Sequence, residues 1–403
     1  MVRHILLLLL CSSLSIGCGQ DNPVDNGFDE DPTLQDGDSA DPIKSVSPED
    51  SIRAAIIDGL NRKVDSWIEN GQVVGTEYMV FVGDELWVHE AKGWRDKENA
   101  VPMDLNTIFD IQSMTKPVVA TGIFRLATQG LLDLDDPISK FIPTFAPHST
   151  TIRQALTRTD GFTSSPISRQ NYSTLTEAVD DLARIGPNTA PGSVFSRDPT
   201  DTMTLGAVIE HITGLSLDEY LGEEILSALG MNGQSYLHLN SGSAWRAEMS
   251  SVYQRFGGQT GDFVKVWSTD MPSIFTYFPA AAGIYSTTTE YAKFLQFWMD
   301  RGNIDGVQFI DEKYVDEALI QEPLSTALST SYGTTPYGLH WDLGPGVLRP
   351  GTGIASYGHP GGFGTIGWII PEKEIRVLYF TQSWGGQTHF QFVEEVIRLM
   401  GNS

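Results

Sequence analysis

Ser113 and Lys116 stand three residues apart in Ile108-Phe109-Asp110-Ile111-Gln112-Ser113-Met114-Thr115-Lys116-Pro117. Positions i and i+3 share one helix face, so this spacing sets a lysine nitrogen beside a hydroxyl. A serine hydroxyl becomes a nucleophile when a base takes its proton. A lysine is that base once burial or a nearby cation lowers its pKa. The chemistry would be acyl transfer. Pro117 suits the first turn of a helix, where its missing N–H would have no intrahelical acceptor. Chance alone supplies about one S-x-x-K in a serine-rich chain of this length, so the surroundings must decide.

Elements to carry such a pair can be read on both sides of it. Ser51 to Asn70 has Ile56, Leu60, Val64 and Trp67 at helical spacing with a charged opposite face. Val73 to Val82 and Glu85 to Trp94 meet at Gly83-Asp84 as a hairpin. A second hairpin, Thr365 to Ile370 and Glu374 to Thr381, turns at Pro371-Glu372-Lys373 before a last helix, Gln391 to Met400. Between them the chain reads as helical over Val118 to Gln129, Ile152 to Leu156, Leu205 to Thr213, Leu217 to Leu229 and Thr288 to Arg301. Strands at both ends with helices between predict an α+β fold. One antiparallel sheet is built from distant segments (50–110 and 280–403), with a mostly helical lobe over 111–279 and a site where the two meet.

Residues 1–18 read as a leader. Arg3 and His4 precede an apolar run, Ile5 to Leu10, too short to span a bilayer. Ser15-Ile16-Gly17-Cys18 is similar to a bacterial lipobox, which predicts lipidation at Cys18 and an exported, membrane-anchored protein, with simple secretion as the alternative. Residues 19–49 form an acidic tether. From 21 to 50 there are ten Asp/Glu against Lys44 alone, which predicts disorder. The only cysteines are Cys11 and Cys18, so the folded domain, 50–403, has neither a disulfide nor a thiolate metal site. A net charge of −25 without a basic stripe argues against nucleic acid or an anionic membrane surface as partner.

Further segments fall in a recognisable order: Gly130-Leu131-Leu132-Asp133-Leu134-Asp135-Asp136-Pro137-Ile138, Pro191-Gly192-Ser193-Val194-Phe195, Leu229-Gly230-Met231, Ala281-Ala282-Gly283-Ile284-Tyr285-Ser286-Thr287, and Tyr357-Gly358-His359-Pro360-Gly361-Gly362-Phe363-Gly364-Thr365. With Ser113 and Lys116, the chain over about 51–400 resembles the serine β-lactamase-like family. That family includes class C β-lactamases, penicillin-binding D-alanyl-D-alanine peptidases and family VIII carboxylesterases. The resemblance implies a β-lactamase/transpeptidase-like fold, with Ser113 as nucleophile and Lys116 as general base. It implies an oxyanion hole from the Ser113 and Gly362 N–H groups. His359-Pro360-Gly361 stands for the family's third element, with His359 on the substrate side orienting a carboxylate or carbonyl and Gly361 bordering the pocket. No cofactor, metal or protein partner is implied. The substrate would be a small ester, amide or peptide-like molecule.

The second family element departs. After Pro191-Gly192-x-x-Phe195 the pattern expects a phenol where this chain has Arg197. The nearby Thr157-Arg158-Thr159-Asp160 also replaces a family histidine and serine. Asp160 and Asp198 are the pairing partners the sequence offers to Arg158 and Arg197. Three readings of Arg197 are open. It could lie near Lys116 and lower its pKa; another phenol (Tyr285, Tyr332 or Tyr357) could serve; or the fold could persist as a catalytically impaired surface binding protein. An esterase-like hydrolase is the expected activity, since β-lactam turnover leans on the missing element. No nucleophile elbow, paired-histidine zinc motif or phosphate loop competes with it.

Overall fold

The central strands are apolar on consecutive residues because both sheet faces are covered. In the computed structural model, which describes residues 47–163, 172–237, 243–257, 261–271, 276–327, 336–344 and 356–401, every residue of Ile375–Thr381 is buried. Val377 and Tyr379 face a cluster with Ile56, Leu60, Trp67 and Phe392, whereas Leu378 and Phe380 join the larger core with Phe109, Tyr291 and Leu295. That is the two-residue alternation of a strand. The leader, Cys18, the tether up to residue 46, and Tyr332 lie outside the described residues.

The sheet has seven strands in the spatial order Asp342–Leu343, Tyr357–Pro360, Ile366–Ile370, Ile375–Thr381, Gly75–Val82, Glu85–Asp96 and Val101–Pro102. All its pairings are antiparallel, and both expected hairpins are present. The two chain ends meet at its centre, where the register runs from Thr76 opposite Thr381 to Val82 opposite Ile375. The helices Pro48–Glu69 and Thr388–Gly401 cover one face and Thr288–Met299 the other. The first helix begins at a Ser47 cap, whose hydroxyl accepts the Asp50 N–H at 3.0 Å.

The region 111–279 is less uniformly helical than the sequence suggests. Strands Val252–Arg255 and Phe263–Trp267 lie within it and pair with each other, and the first also pairs with Ser383–Trp384 from the C-terminal part. The expected helix Leu217 to Leu229 is an α-turn, Leu217–Tyr220, continued as a π-turn, Leu221–Leu226, that buries Leu221, Ile225 and Leu226. A further helix, Leu175–Ile185, carries its own signal: Leu175, Ala178, Val179 and Leu182 are buried at helical spacing.

Candidate active site

The 3₁₀ turn Gln112–Met114 runs directly into the helix Thr115–Thr128, of which every residue but Arg125 and Thr128 is buried. A helix apolar on nearly all sides belongs at the centre of a fold, and its N-terminus is fixed there by four hydrogen bonds from three residues. The Ile111 N–H donates to the Ile284 carbonyl at 3.2 Å and the Ile284 N–H to Thr115 Oγ1 at 3.2 Å. The Tyr291 hydroxyl donates to the Met114 carbonyl at 3.0 Å, and Thr365 Oγ1 to the Ile111 carbonyl at 3.2 Å. On this pinned turn Lys116 Nζ lies 2.7 Å from Ser113 Oγ and donates to the Ala281 carbonyl at 3.1 Å. Lys116 is buried and Ser113 half-buried.

The strand Tyr357–Pro360 packs against the Ser113 turn. Gly361 follows, so close that a Cβ there would lie 2.4 Å from the Ile111 carbonyl and 2.1 Å from Thr365 Oγ1. Only glycine fits. Gly362 is exposed beside the Gln112 amide, and among the described residues its N–H has no hydrogen-bond partner. His359 is buried. Its Nδ1–H donates to the Pro360 carbonyl at 2.8 Å, while Nε2 has no partner among the described residues. A carbonyl can only accept, so the proton belongs on Nδ1. Burial first, then the Lys116 charge, pushes the imidazole pKa well below its ordinary value. The side chain is therefore neutral and offers a lone pair. This alters the expected role: a neutral ring with its one N–H already used accepts a hydrogen bond and cannot donate one to a carboxylate.

The ion pairs given by Arg197 and Arg158 are to other acids, although Asp160 still feels the Arg158 charge. Arg197 Nη2 donates to Asp342 Oδ1, from the strand next to that of His359. Arg158 Nε lies 3.0 Å from Asp201 Oδ2, in the first turn of the helix Thr200–Thr213, and its contact with Asp198 is to the backbone carbonyl at 3.1 Å. Asp160, buried and repelled by Asp201, has a carboxyl held well above the usual range. Between the two guanidiniums stands Tyr337, its ring centre 5.4 Å from each and 6.4 Å from the His359 ring. Burial raises its phenol pKa, so it stays protonated. Among the described residues this phenol lies against both guanidiniums, and no sequence motif points to it. No local spacing links residue 337 to residues 158 and 197.

The phenols named in advance sit elsewhere. Tyr357 donates to the Trp298 carbonyl at 3.1 Å inside the core, and Tyr285 packs with Trp245, Ile108 and Met249 in a separate small cluster. Tyr332 is not among the described residues.

The family model described as Beta-lactamase matches residues 58–401. This chain belongs to the Beta-lactamase family. Among curated relatives it is similar to Penicillin-binding protein 4 of Amycolatopsis lactamdurans, at 27% identity over 72% of this chain and 75% of that one. It is also similar to Protein Rv1367c of Mycobacterium tuberculosis, at 24% identity over 81% and 90%. Its fold is that of a penicillin-binding protein homologue from Pyrococcus abyssi (TM-score 0.69, 23% identity, 86% of this chain and 77% of that one). It is equally that of a family VIII carboxylesterase (TM-score 0.69, 17% identity, 85% and 97%). The Beta-lactamase family is one of serine hydrolases, and its fold positions Ser113, Lys116 and His359 together.

Proposed function

We propose that this member hydrolyses a small ester or amide through an acyl-enzyme on Ser113, with esterase-like substrates preferred to β-lactams. The observation that carries the reading is the 2.7 Å approach of Lys116 Nζ to Ser113 Oγ on a turn fixed by four hydrogen bonds. The resting Lys116 ammonium first gives one proton to solvent, and the resulting amine has two N–H groups and one lone pair. One N–H satisfies the Ala281 carbonyl, and the lone pair takes the Ser113 proton as Oγ bonds to the substrate carbonyl carbon. The Ser113 and Gly362 N–H groups stabilise the oxyanion. Lys116 returns its proton to the leaving oxygen or nitrogen as that bond breaks. Water then attacks the ester carbon, giving up a proton to Lys116, and Ser113 recovers its hydrogen as the acid departs. His359 Nε2 accepts a hydrogen bond from a substrate N–H or O–H. The test is hydrolysis of short nitrophenyl esters and a chromogenic cephalosporin, with intact-protein mass spectrometry for an adduct. Absence of turnover and of any Ser113 adduct would sink the reading.

The Arg197–Asp342 pair bears on the missing family phenol. Restoring it by Arg197→Tyr strands the buried Asp342 carboxylate without its cation. We expect that variant to lose about tenfold or more in turnover, and Arg197→Tyr with Asp342→Asn to recover part of it. A gain in activity from Arg197→Tyr alone would show that the pair has no role in holding the site.

Export and lipid anchoring complete the proposal and rest on the leader and Cys18 in the sequence. Metabolic labelling with palmitate in a bacterial host checks it. Label that persists in Cys18→Ala counts against anchoring there.

A further inference from the structure

We propose that Asp110 is a positioning residue that clamps Gln112 in a left-handed backbone conformation and so aims the Ser113 hydroxyl. The proposal rests on Ser113 being the nucleophile. Gln112, directly before it, has φ +49°, a region that side chains other than glycine rarely adopt. Something must hold it there. Both oxygens of one carboxylate do: Asp110 Oδ1 accepts the Gln112 backbone N–H at 3.0 Å, and Oδ2 accepts the Gln112 side-chain N–H at 2.6 Å. Asp110 is itself fixed. It lies in the two-residue strand Phe109–Asp110 opposite Tyr285–Ser286, and its carbonyl accepts the Gln382 amide at 3.0 Å. The other end of the Gln112 side chain borders Gly362, its Oε1 3.9 Å from where a Cβ would stand. The clamp therefore touches both sides of the reacting centre.

The clamp needs an ionised carboxylate, because a protonated one turns one of two acceptors into a donor facing another N–H. Burial pushes the Asp110 pKa up to about 7, against the two Gln112 hydrogen bonds that lower it. The groups facing it are uncharged at neutral pH: the Gln112 and Gln382 amides, and the Tyr285 phenol, kept protonated by burial and by Asp110 itself. Turnover should thus fall as pH drops through about 7 while KM stays level.

The experiment compares the pH dependence of kcat and KM for a short nitrophenyl ester in the wild-type chain, Asp110→Asn and Asp110→Asn/Gln112→Gly. Asparagine keeps one acceptor and turns an NH2 toward the other donor. We expect Asp110→Asn to lose about tenfold or more in kcat, with little change in KM and a flattened acid limb. Gln112→Gly, which needs no clamp to reach positive φ, should restore most of it. Wild-type kcat with an intact acid limb in Asp110→Asn would overturn the proposal, as would failure of glycine to rescue a variant whose melting temperature is unchanged. A crystal structure of Asp110→Asn adds a readout independent of catalysis. If Gln112 keeps its left-handed φ there, the clamp is refuted whether or not the protein is an enzyme. An inactive wild type refutes the nucleophile reading instead.

Discussion

Lys116→Met is expected to cut ester turnover by about a thousandfold and to do so with the fold intact. Methionine replaces the stem at similar volume, so the loss isolates the nitrogen that lies 2.7 Å from Ser113 Oγ. Ser113→Ala should lose at least as much, and the double variant no more than the worse single one. Residues that act as one unit are removed once, not twice. Additive losses would mean that Lys116 works apart from Ser113, as a structural cation. Steady-state kinetics on the four proteins settles it, with circular dichroism to confirm that each is folded.

Arg158→Met is expected to be the most destabilising single change near the site, at about 3–5 kcal/mol. Arg158 is buried, and its guanidinium serves Asp201, the Ser196 and Asp198 carbonyls and, at a longer 3.4 Å, the Tyr337 hydroxyl. Burial opposes its charge, and its acidic neighbours more than restore it. Removing the cation leaves the buried Asp201 carboxylate without its ion-pair partner and still repelling Asp160. Arg158→Met with Asp201→Asn should recover much of the loss, because the uncompensated charge is the main penalty. Denaturant midpoints of the wild-type chain and the two variants measure it. A change below about 1 kcal/mol would mean that the pair behaves like a surface ion pair.

Asp110 sets activity and stability against each other. Its folded pKa, about 7, lies above the ordinary 3.8. The folded state therefore holds the proton more tightly, and its contribution to stability is lost as pH rises from about 4 to about 7. The clamp on Gln112 forms only at the upper end of that interval, as pH rises through about 7. The protein should be most active where this residue stabilises it least.

The sequence showed what repeats locally and missed what only space assembles. The hairpins follow from alternation and their turn residues, and Ser113 and Lys116 from a spacing that a helix converts into proximity. His359 came with its segment, although its charge state did not, because that depends on burial and on a lysine 243 residues earlier. Tyr337, Asp342 and Asp201 carried no signal at all. They belong to a turn and its following strand, and to the first turn of a helix, and they meet Arg197 and Arg158 only across the fold. Charge pairing by proximity along the chain suggested Asp160 and Asp198. Packing selected differently, because the fold brings Asp342 and Asp201 within ion-pair distance of the two guanidiniums.

The central pairing of Thr76 with Thr381 also has a consequence in time. The sheet that seats His359 and Gly362 against Ser113 closes only when the last strands are available, long after the nucleophile's own helix has been made. Contacts between such remote segments form slowly. During synthesis Ser113 and Lys116 are complete as a sequence well before the strands that flank them exist, and the proposed dyad meets His359 only once residues 357–381 have been made.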